Sequence, residues 1–262
     1  MKISQLCIYP IKGLKAISLN EAKVLEKGFE NDRRWMLVSE ENKLISQRNF
    51  PSLTQFDIAI NGENIDITKD EVSLTIPIVV KEGTHERVSL WGSEIDCIEP
   101  SKEWSSWFSN QISSKCKLVF MRESDPRKKM MANLNQKGDV SFADGYPYLV
   151  LGTGSVKFLN QKTEEDIPID RFRANIIFDS EEAHIEDTMS QFQIGDVSFQ
   201  MIKPCTRCTV ITTDQKTGKK NPEPIRTLNT YRSKMNNIYF GMNAVALDSG
   251  IISIGDTLTP SS

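Results

Sequence analysis

The stretch Lys203-Pro204-Cys205-Thr206-Arg207-Cys208 holds two of the five cysteines of the chain, with an arginine between them. Upstream, the apolar segments 192–194 and 197–202 flank a Gly-Asp turn and predict a β-hairpin that leads into the cysteine pair. Downstream, the run 209–213 is β-branched throughout and predicts a further strand. We therefore expect the two cysteines in a loop that enters a strand, where a rigid support leaves them accessible.

Short segments of strand length extend outward from this stretch toward both ends of the chain. Segments 56–60, 64–68 and 71–76 alternate apolar and polar residues, which is the period of a half-buried strand. Segments 33–38 and 44–48 flank a polar turn and predict a hairpin. The remaining predicted strands are 3–8, 21–26, 87–90, 94–98, 116–121, 148–151, 171–178, 239–247 and 250–258. The chain is therefore predicted to be α+β and mainly β.

A few segments have helical rather than strand spacing. Ser101 is a suitable helix cap, and it precedes apolar residues that recur every three or four positions, namely Trp104, Trp107, Phe108 and Ile112. This spacing predicts a helix over 101–113 with an aromatic buried face. A shorter helix is predicted over 155–161 with Ser155 as its cap, and a helical turn over 227–233.

Segment 122–139 interrupts the regular pattern. It is polar and basic, has few large apolar residues and shows no clear period. These properties predict a domain boundary or an active-site loop. We accordingly divide the chain into an N-terminal β-rich domain, residues 1–120, and a second domain, residues 121–262.

Bulk properties exclude several classes of function. The net charge of −3 shows no basic excess that would indicate nucleic-acid binding. No apolar run approaches the ~20 residues of a membrane helix, and the N-terminus shows no signal-peptide pattern. We therefore expect a cytoplasmic protein without membrane or nucleic-acid partners. An odd number of scattered cysteines argues against a disulfide framework, and the other three, Cys7, Cys97 and Cys116, are predicted to be buried.

The pair formed by Cys205 and Cys208 has three ordinary uses. It can form half of a zinc site, a redox dithiol, or one metal-binding thiolate beside a structural neighbour. A closed zinc site needs four ligands, and the two histidines, His85 and His184, form no ligand-like pair. A thioredoxin-like dithiol usually opens a helix, whereas a strand is predicted here. The residues thus favour one thiolate on a soft metal, with Arg207 stabilising its charge, and leave the dithiol as an alternative.

A metal held by one thiolate needs further ligands from a cofactor, and a phosphate-bearing cofactor needs fixed donors. Arginine suits this task because its planar guanidinium matches phosphate oxygens bidentately. The basic residues that occur in predicted loops or at strand ends are Lys12, Arg33, Arg48, Arg171, Arg173 and Arg207. Taken singly, each is better explained as a surface charge or as an ion pair with Asp32, Asp144 or Asp170.

Six motifs, in order along the chain, resemble one known family. They are Tyr9-Pro10-Ile11-Lys12-Gly13, Asp32-Arg33-Arg34-Trp35-Met36-Leu37-Val38, Gln47-Arg48-x-x-Pro51-x-Leu53, Phe142-Ala143-Asp144-Gly145-Tyr146-Pro147, Arg171-Phe172-Arg173-Ala174-Asn175-Ile176, and Cys205-Thr206-Arg207-Cys208 followed by Thr227-Leu228-x-x-Tyr231-Arg232. The resemblance covers nearly the whole chain. It is to the MOSC-domain proteins that carry an N-terminal β-barrel-like domain, and the motifs are most similar to those of the amidoxime-reducing components and their bacterial relatives.

The resemblance implies a C-terminal MOSC β-barrel and a molybdenum cofactor, Mo-molybdopterin, held between the two domains. It makes Cys208 the metal ligand and catalytic residue, with Cys205 as its structural neighbour. The positions that match cofactor-holding residues of the family are Lys12, Arg33, Asp144, Arg173, Asn175, Thr206 and Arg207. The chain departs from the family pattern where some members have hydroxyl residues, namely at Gly13, Ala143 and Gly145.

The activity implied by the resemblance is the reduction of small N-hydroxylated compounds at the N–O bond. Some bacterial relatives carry a ferredoxin domain, whose cluster-binding cysteines this chain lacks. The electrons are therefore expected from a separate ferredoxin-, flavin- or cytochrome-type reductase. The alternative is a molybdopterin-binding or sulfur-carrier module without turnover, because MOSC domains are related to the C-terminal domain of molybdenum-cofactor sulfurases. Pyridoxal phosphate binding is a further property associated with this resemblance.

Overall fold

The computed structural model describes residues 1–125, 127–131 and 134–261, which form mainly strands. The strands of the first half are β1 (Ile3–Ile8), β2 (Ile11–Lys12), β3 (Ile17–Leu19), β4 (Glu21–Leu25), β5 (Gly28–Phe29), β6 (Trp35–Val38), β7 (Asp57–Asn61), β8 (Asn64–Lys69), β9 (Val72–Pro77), β10 (Thr84–Leu90), β11 (Ser93–Glu99) and β12 (Lys117–Phe120). Those of the second half are β13 (Lys128–Met131), β14 (Gln136–Asp139), β15 (Tyr148–Gly152), β16 (Ile176–Phe178), β17 (Gln191–Ile194), β18 (Val197–Thr206), β19 (Ser233–Lys234), β20 (Asn237–Ala246), β21 (Gly250–Ser253) and β22 (Leu258–Ser261). The predicted α+β, mainly β class is confirmed.

Helices are short and few. The α-helices are α1 (Lys102–Ile112), α2 (Thr153–Asn160) and α3 (Ile225–Tyr231), and 3₁₀ turns occur at Pro51–Gln55, Ile169–Phe172, Ile185–Thr188 and Thr209–Thr212. Helix α1 begins as predicted, because the Ser101 hydroxyl accepts a hydrogen bond from the amide of Trp104 at 3.4 Å. In the ranges that the structure describes, no helix has the length and apolar character needed to cross a membrane.

The largest sheet joins the beginning of the chain to its C-terminal half. Its strand order is β22-β17-β18-β20-β15-β16-β1-β3, with β19 on β20. β1 pairs antiparallel with β16, which lies parallel to β15. The core on this sheet includes the stacked rings of Phe192 and Phe199, whose centroids are 4.9 Å apart. β1 and β18 belong to this one sheet and are separated in it by β20, β15 and β16.

A second sheet, with the order β10-β11-β12-β6-β2, packs against α1 and the three-stranded sheet β7-β8-β9. Trp35 is buried in its core, with ring centroids 6.1 Å from Trp104 and 4.7 Å from Phe120. Such burial typically contributes on the order of 2–3 kcal/mol for each large side chain. Between β1 and β2 the chain passes from one sheet to the other at Tyr9-Pro10. This crossing places Tyr9 and Lys12 at the boundary between the sheets.

The proposed division at residue 120 stays a prediction. The structure adds that strands from the first thirty residues do not stay within the N-terminal half. β1 pairs with β16, and β4 pairs with β21. The two halves are therefore connected by strand pairing as well as by side-chain packing.

The strand predicted over 209–213 is wrong. Thr209–Thr212 is a 3₁₀ turn, and the long strand β18 instead precedes the turn and includes Cys205. Ile211 is fully buried, and its carbonyl accepts a hydrogen bond from the Arg171 side chain at 3.4 Å. Packing and hydrogen bonding thus override β propensity. A turn rather than a strand therefore follows Cys208, so the element after the pair does not count against a redox dithiol.

Two other predicted elements begin elsewhere. The strand predicted over 171–178 starts only at Ile176, because a 3₁₀ turn precedes it and Arg173 has a φ of 55°. The helix predicted to start at Ser155 begins at Thr153. Ser155 does not cap it but donates a hydrogen bond to buried Glu186 at 2.7 Å.

Two segments have a different amount of structure than predicted. Segment 44–48 forms only an isolated bridge between Leu44 and Val38, rather than a full strand. Segment 122–139 contains the hairpin β13–β14, although its sequence shows no strand period. Within it, Pro126, Ala132 and Asn133 lie outside the described residues.

Candidate functional site

A cavity of about 410 Å³ lies between the two main sheets, and all eight predicted site residues line it. They come from distant parts of the chain: Lys12 lies on β2, Arg33 between β5 and β6, and Thr206 at the end of β18. The other members are Asp144, Arg173, Asn175, Arg207 and Cys208. The six motifs therefore converge on one cavity, while the role of each residue stays a prediction.

Two arginines of this cavity pack on the ring of Tyr9. The guanidinium carbons of Arg33 and Arg173 lie 4.5 and 4.2 Å from the ring centroid, within the range of cation–π attraction. The Tyr9 hydroxyl donates to the Ala174 carbonyl at 3.1 Å, which fixes the ring. Both arginines have positive φ angles, 51° and 55°, in a region that non-glycine residues adopt only when their surroundings enforce it. The result is a rigid pair of anion-binding groups.

Asn175 connects the arginine pair to the sheet. Its side-chain carbonyl accepts a hydrogen bond from Arg33 at 3.0 Å, and its side-chain amide donates to the Cys7 carbonyl at 3.0 Å. Its backbone N–H donates to the Leu149 carbonyl at 2.9 Å. Only 1% of Asn175 is exposed, so a lost contact would leave a buried polar group unpaired. In this structure Asn175 therefore positions Arg33.

Ion pairs set the charge state of the basic groups. Burial works against the charge of Arg33, but Asp32 and Tyr9 outweigh it and hold the pKa of Arg33 above its ordinary value. Burial lowers the pKa of Lys12, although its ion pair with Asp144 opposes that shift. The Lys12 ammonium also donates to the Phe142 carbonyl at 2.7 Å. Lys12 is thus held in place by two contacts at the cavity wall.

The cysteine loop closes the other side of the site. Cys205 and Cys208 are both half-buried and both line the cavity. The Arg207 guanidinium donates to the Cys205 sulfur at 3.2 Å and to the Phe172 carbonyl at 2.7 Å. Arg207, which was predicted to stabilise a thiolate, therefore contacts the sulfur of Cys205 rather than that of Cys208. The Nε atom of Arg207 is buried without a hydrogen-bond partner.

The sequence did not single out some residues of the cavity wall. Trp91 stacks on Arg48, whose guanidinium carbon lies 4.4 Å from the ring centroid, and its indole N–H donates to Asp144 at 2.9 Å. Gln47, from the third motif, exchanges two side-chain hydrogen bonds of 3.1 and 3.0 Å with Gln215, a buried residue that does not line the cavity. Trp91 is 52% exposed and precedes Gly92 at the turn between two polar strands. An exposed tryptophan at such a turn is the sequence signal that could have indicated a binding residue.

Arg171, which the sequence grouped with the phosphate-binding candidates, does not line the cavity. Its side chain is buried, forms an ion pair with Asp214 at 2.9 Å and donates to the Ile211 carbonyl at 3.4 Å. These contacts hold the 3₁₀ turn after Cys208 in place. Arg171 therefore has the structural use that the sequence left open, although with Asp214 rather than with Asp170 as its partner.

The donor set of the cavity fits an anionic cofactor with a soft metal. Seven basic side chains line it against one carboxylate, Asp144, in a chain of net charge −3. Arginines bind phosphate oxygens well, and thiolates are preferred ligands of soft transition metals. A molybdenum cofactor carries both a phosphate and a soft, sulfur-bound metal, so the residues present are suited to it.

Two protein families match the chain. The MOSC N-terminal beta barrel domain matches residues 1–115, and the MOSC domain matches residues 137–259. Mitochondrial amidoxime-reducing component 1 of Mus musculus is 33% identical over 245 residues, covering 88% of this chain and 71% of the relative. The protein of the same name from Homo sapiens is 29% identical over 277 residues, covering 97% of this chain and 81% of the relative. Molybdenum cofactor sulfurase of Drosophila mojavensis is 28% identical over 238 residues, covering 87% of this chain and 30% of that protein.

Proposed function

This chain belongs to the family of MOSC-domain proteins with a MOSC N-terminal beta barrel domain, and from that premise we propose that it is a molybdenum-cofactor-dependent reductase of N-hydroxylated compounds. The observation that carries the proposal is the cavity in which Cys208 meets Lys12 and Arg33 from the other end of the chain. Two relatives named amidoxime-reducing components, which match most of the chain, support the same class of reaction.

Lys12, Arg33 and Arg173 would hold the phosphate of the cofactor. Both guanidinium groups are fixed by their contact with the Tyr9 ring, and Arg33 is fixed further by Asn175. Groups that are already ordered lose little conformational entropy when a ligand binds. Asp144 would orient the Lys12 ammonium and, by accepting a hydrogen bond from its indole N–H, the side chain of Trp91.

Cys208 is the proposed metal ligand, and Cys205 is its neighbour. When bound, the cofactor would supply the two-electron chemistry that removes oxygen from the N–O bond of the substrate. The task of the chain is to hold the thiolate at a fixed place. Arg207 fixes the segment before Cys208 by donating to the Cys205 sulfur and to the Phe172 carbonyl, while Thr206 pairs with Tyr239 of β20. The electrons are proposed to come from a separate redox protein, and a cytoplasmic location stays a prediction.

Matched cysteine variants test this assignment. Protein from a host that makes the cofactor is assayed for molybdenum, for pterin fluorescence and for reduction of benzamidoxime by reduced viologen. We expect Cys208→Ser to abolish turnover, because it removes the metal-binding thiolate, and Cys205→Ser to retain the cofactor and part of the turnover. The assignment is wrong if Cys205→Ser is the inactive variant and Cys208→Ser retains activity.

The second candidate is a module that binds or carries the cofactor without turnover. The relative named molybdenum cofactor sulfurase, which this chain matches over 87% of its own length, favours it. The same assay separates the two functions. Protein that contains molybdenum and pterin but reduces no N-hydroxylated compound would support the carrier, and protein that contains neither would contradict both candidates.

A further inference from the structure

A second group of basic residues lies on the cavity wall, apart from the arginine pair that grips Tyr9. Lys129 on β13 and Lys203 on β18 place their ammonium groups 5.2 and 5.5 Å from the centroid of the Tyr146 ring. All three residues line the cavity, and Tyr146 itself is buried. Two distant strands thus bring two cations to one aromatic ring, an arrangement that cation–π attraction stabilises. We name these three residues the lysine–tyrosine cluster.

The two cations of this cluster form no salt bridge with a carboxylate in the part of the chain that the structure describes. Among the described residues, no carboxylate oxygen lies within 4.0 Å of either ammonium, whereas the neighbouring Lys128 pairs with Asp139 at 2.9 Å. Arg127 adds further positive charge nearby, and its guanidinium donates to the carbonyls of Ser141 and Ala143. Burial lowers the pKa of Lys129, repulsion from Arg127 and Lys203 lowers it further, and attraction to Asp144 opposes the shift. This wall of the cavity therefore carries an excess of positive charge.

In the proposed function Lys12, Arg33 and Arg173 hold the cofactor's phosphate, so we assign a different anion to Lys129 and Lys203. The lysine–tyrosine cluster lines the same cavity as Cys205 and Cys208. Lys203 precedes Cys205 by two residues on β18, which corresponds to roughly 7 Å along a strand. A small substrate whose N–O group is near the thiols would thus extend its other end toward Lys203 and Lys129.

We propose that Lys129, Tyr146 and Lys203 form a substrate subsite for an anionic group, so that the preferred substrates are N-hydroxylated compounds that carry a carboxylate or a phosphate. This inference rests on the proposed function, and it names the substrate class of the same cavity. The two ammonium groups neutralise the anion, and Tyr146 holds them at a fixed separation. Because the subsite is partly exposed, each charge pair contributes modestly, and two pairs give a preference of about fivefold to tenfold.

Kinetics with matched substrates test the subsite. 4-Carboxybenzamidoxime is compared with its neutral methyl ester, and N4-hydroxycytidine 5′-monophosphate with its nucleoside, so that carboxylate and phosphate are judged separately. We expect a KM about fivefold to tenfold lower for at least one anion than for its neutral partner, and a smaller ratio at high salt. The double variant Lys129→Gln/Lys203→Gln should remove the preference. Lys128→Gln, on the same strand but paired with Asp139, should keep it.

Two further measurements keep this inference distinct from the proposed function. Calorimetric binding of 4-carboxybenzamidine and of its methyl ester reports on the subsite without requiring turnover. Failure to reduce either amidoxime would contradict the proposed function, but it would leave this binding comparison interpretable. Molybdenum and pterin content report on the cofactor. The subsite is refuted if wild-type protein binds acid and ester equally, if the double variant keeps the preference, or if the double variant loses the cofactor, since the cluster would then hold the cofactor instead.

Discussion

Glu186 is a buried carboxyl group that does not line the cavity, and its ionisation should make stability depend on pH. It is 0% exposed, and the Ser155 hydroxyl donates to its carboxyl at 2.7 Å while accepting from the amide of His184 at 2.8 Å. Burial raises the pKa of Glu186 from an ordinary value of 4.5 to about 7. The folded protein therefore keeps this group protonated at a pH where the unfolded chain ionises it.

This difference in protonation sets the sign and the magnitude of the pH dependence of the unfolding free energy. Between pH 4.5 and about 7 the unfolded state has lost the proton and the folded state has kept it, so the free energy of unfolding falls as pH rises. Each pKa unit corresponds to ~1.4 kcal/mol, which gives a loss of roughly 3 kcal/mol across this window. Burial of His184 acts in the opposite direction, because it lowers the pKa of His184 from 6.5 to about 4. The stability of the wild-type protein alone thus conceals the effect of Glu186.

A comparison between variants reveals it. Glu186→Gln keeps the hydrogen bond with Ser155 but cannot ionise, so the difference in unfolding free energy between variant and wild type should move by roughly 3 kcal/mol in favour of the variant from pH 4.5 to pH 8. Urea unfolding followed by tryptophan fluorescence at four pH values measures it. Glu181→Gln, whose side chain is 98% exposed, is the matched control and should show no such trend. A difference for Glu186→Gln that stays constant with pH would refute the reasoning.

Two further predictions concern the frame of the site. Asn175→Ala should lower the free energy of unfolding by about 2–3 kcal/mol, because it leaves buried hydrogen-bonding groups of Arg33 and Cys7 unpaired. Urea unfolding measures this loss, and a loss below about 0.5 kcal/mol would contradict the prediction. Gly241→Ala should lower the melting temperature more than Gly62→Ala. Both glycines have positive φ, 72° and 61°, but only at Gly241 does a new Cβ meet a backbone oxygen at 3.1 Å. Equal decreases in melting temperature would contradict this prediction and would show that the positive φ alone, and not the steric contact, sets the cost.

Local sequence patterns predicted the helices and strands correctly where the tertiary packing favours the same local structure. Helix α1 has its cap at Ser101 and apolar residues at helical spacing, and the hairpin of β17 and β18 has alternating residues around a turn. The prediction was wrong for Thr209–Thr212, since β-branched residues there form a 3₁₀ turn. Burial of Ile211 and the ion pair of Arg171 with Asp214 stabilise that turn, and neither contact is visible in a local window.

The sequence by itself determined the residue types available to the site and the chain's membership in a family, because residue types and motif order are properties of the chain. It identified Lys12, Arg33, Arg173, Asn175 and Cys208 as residues of one site before any geometry was known. The tertiary structure decided how they meet. It paired β1 with β16, packed two arginines on the ring of Tyr9, and directed Arg207 to Cys205 rather than to Cys208. It also brought Lys129 and Lys203 to one ring. The physical reason is that these contacts join residues far apart in the chain, and only the pairing of strands and the closing of the core bring them within reach.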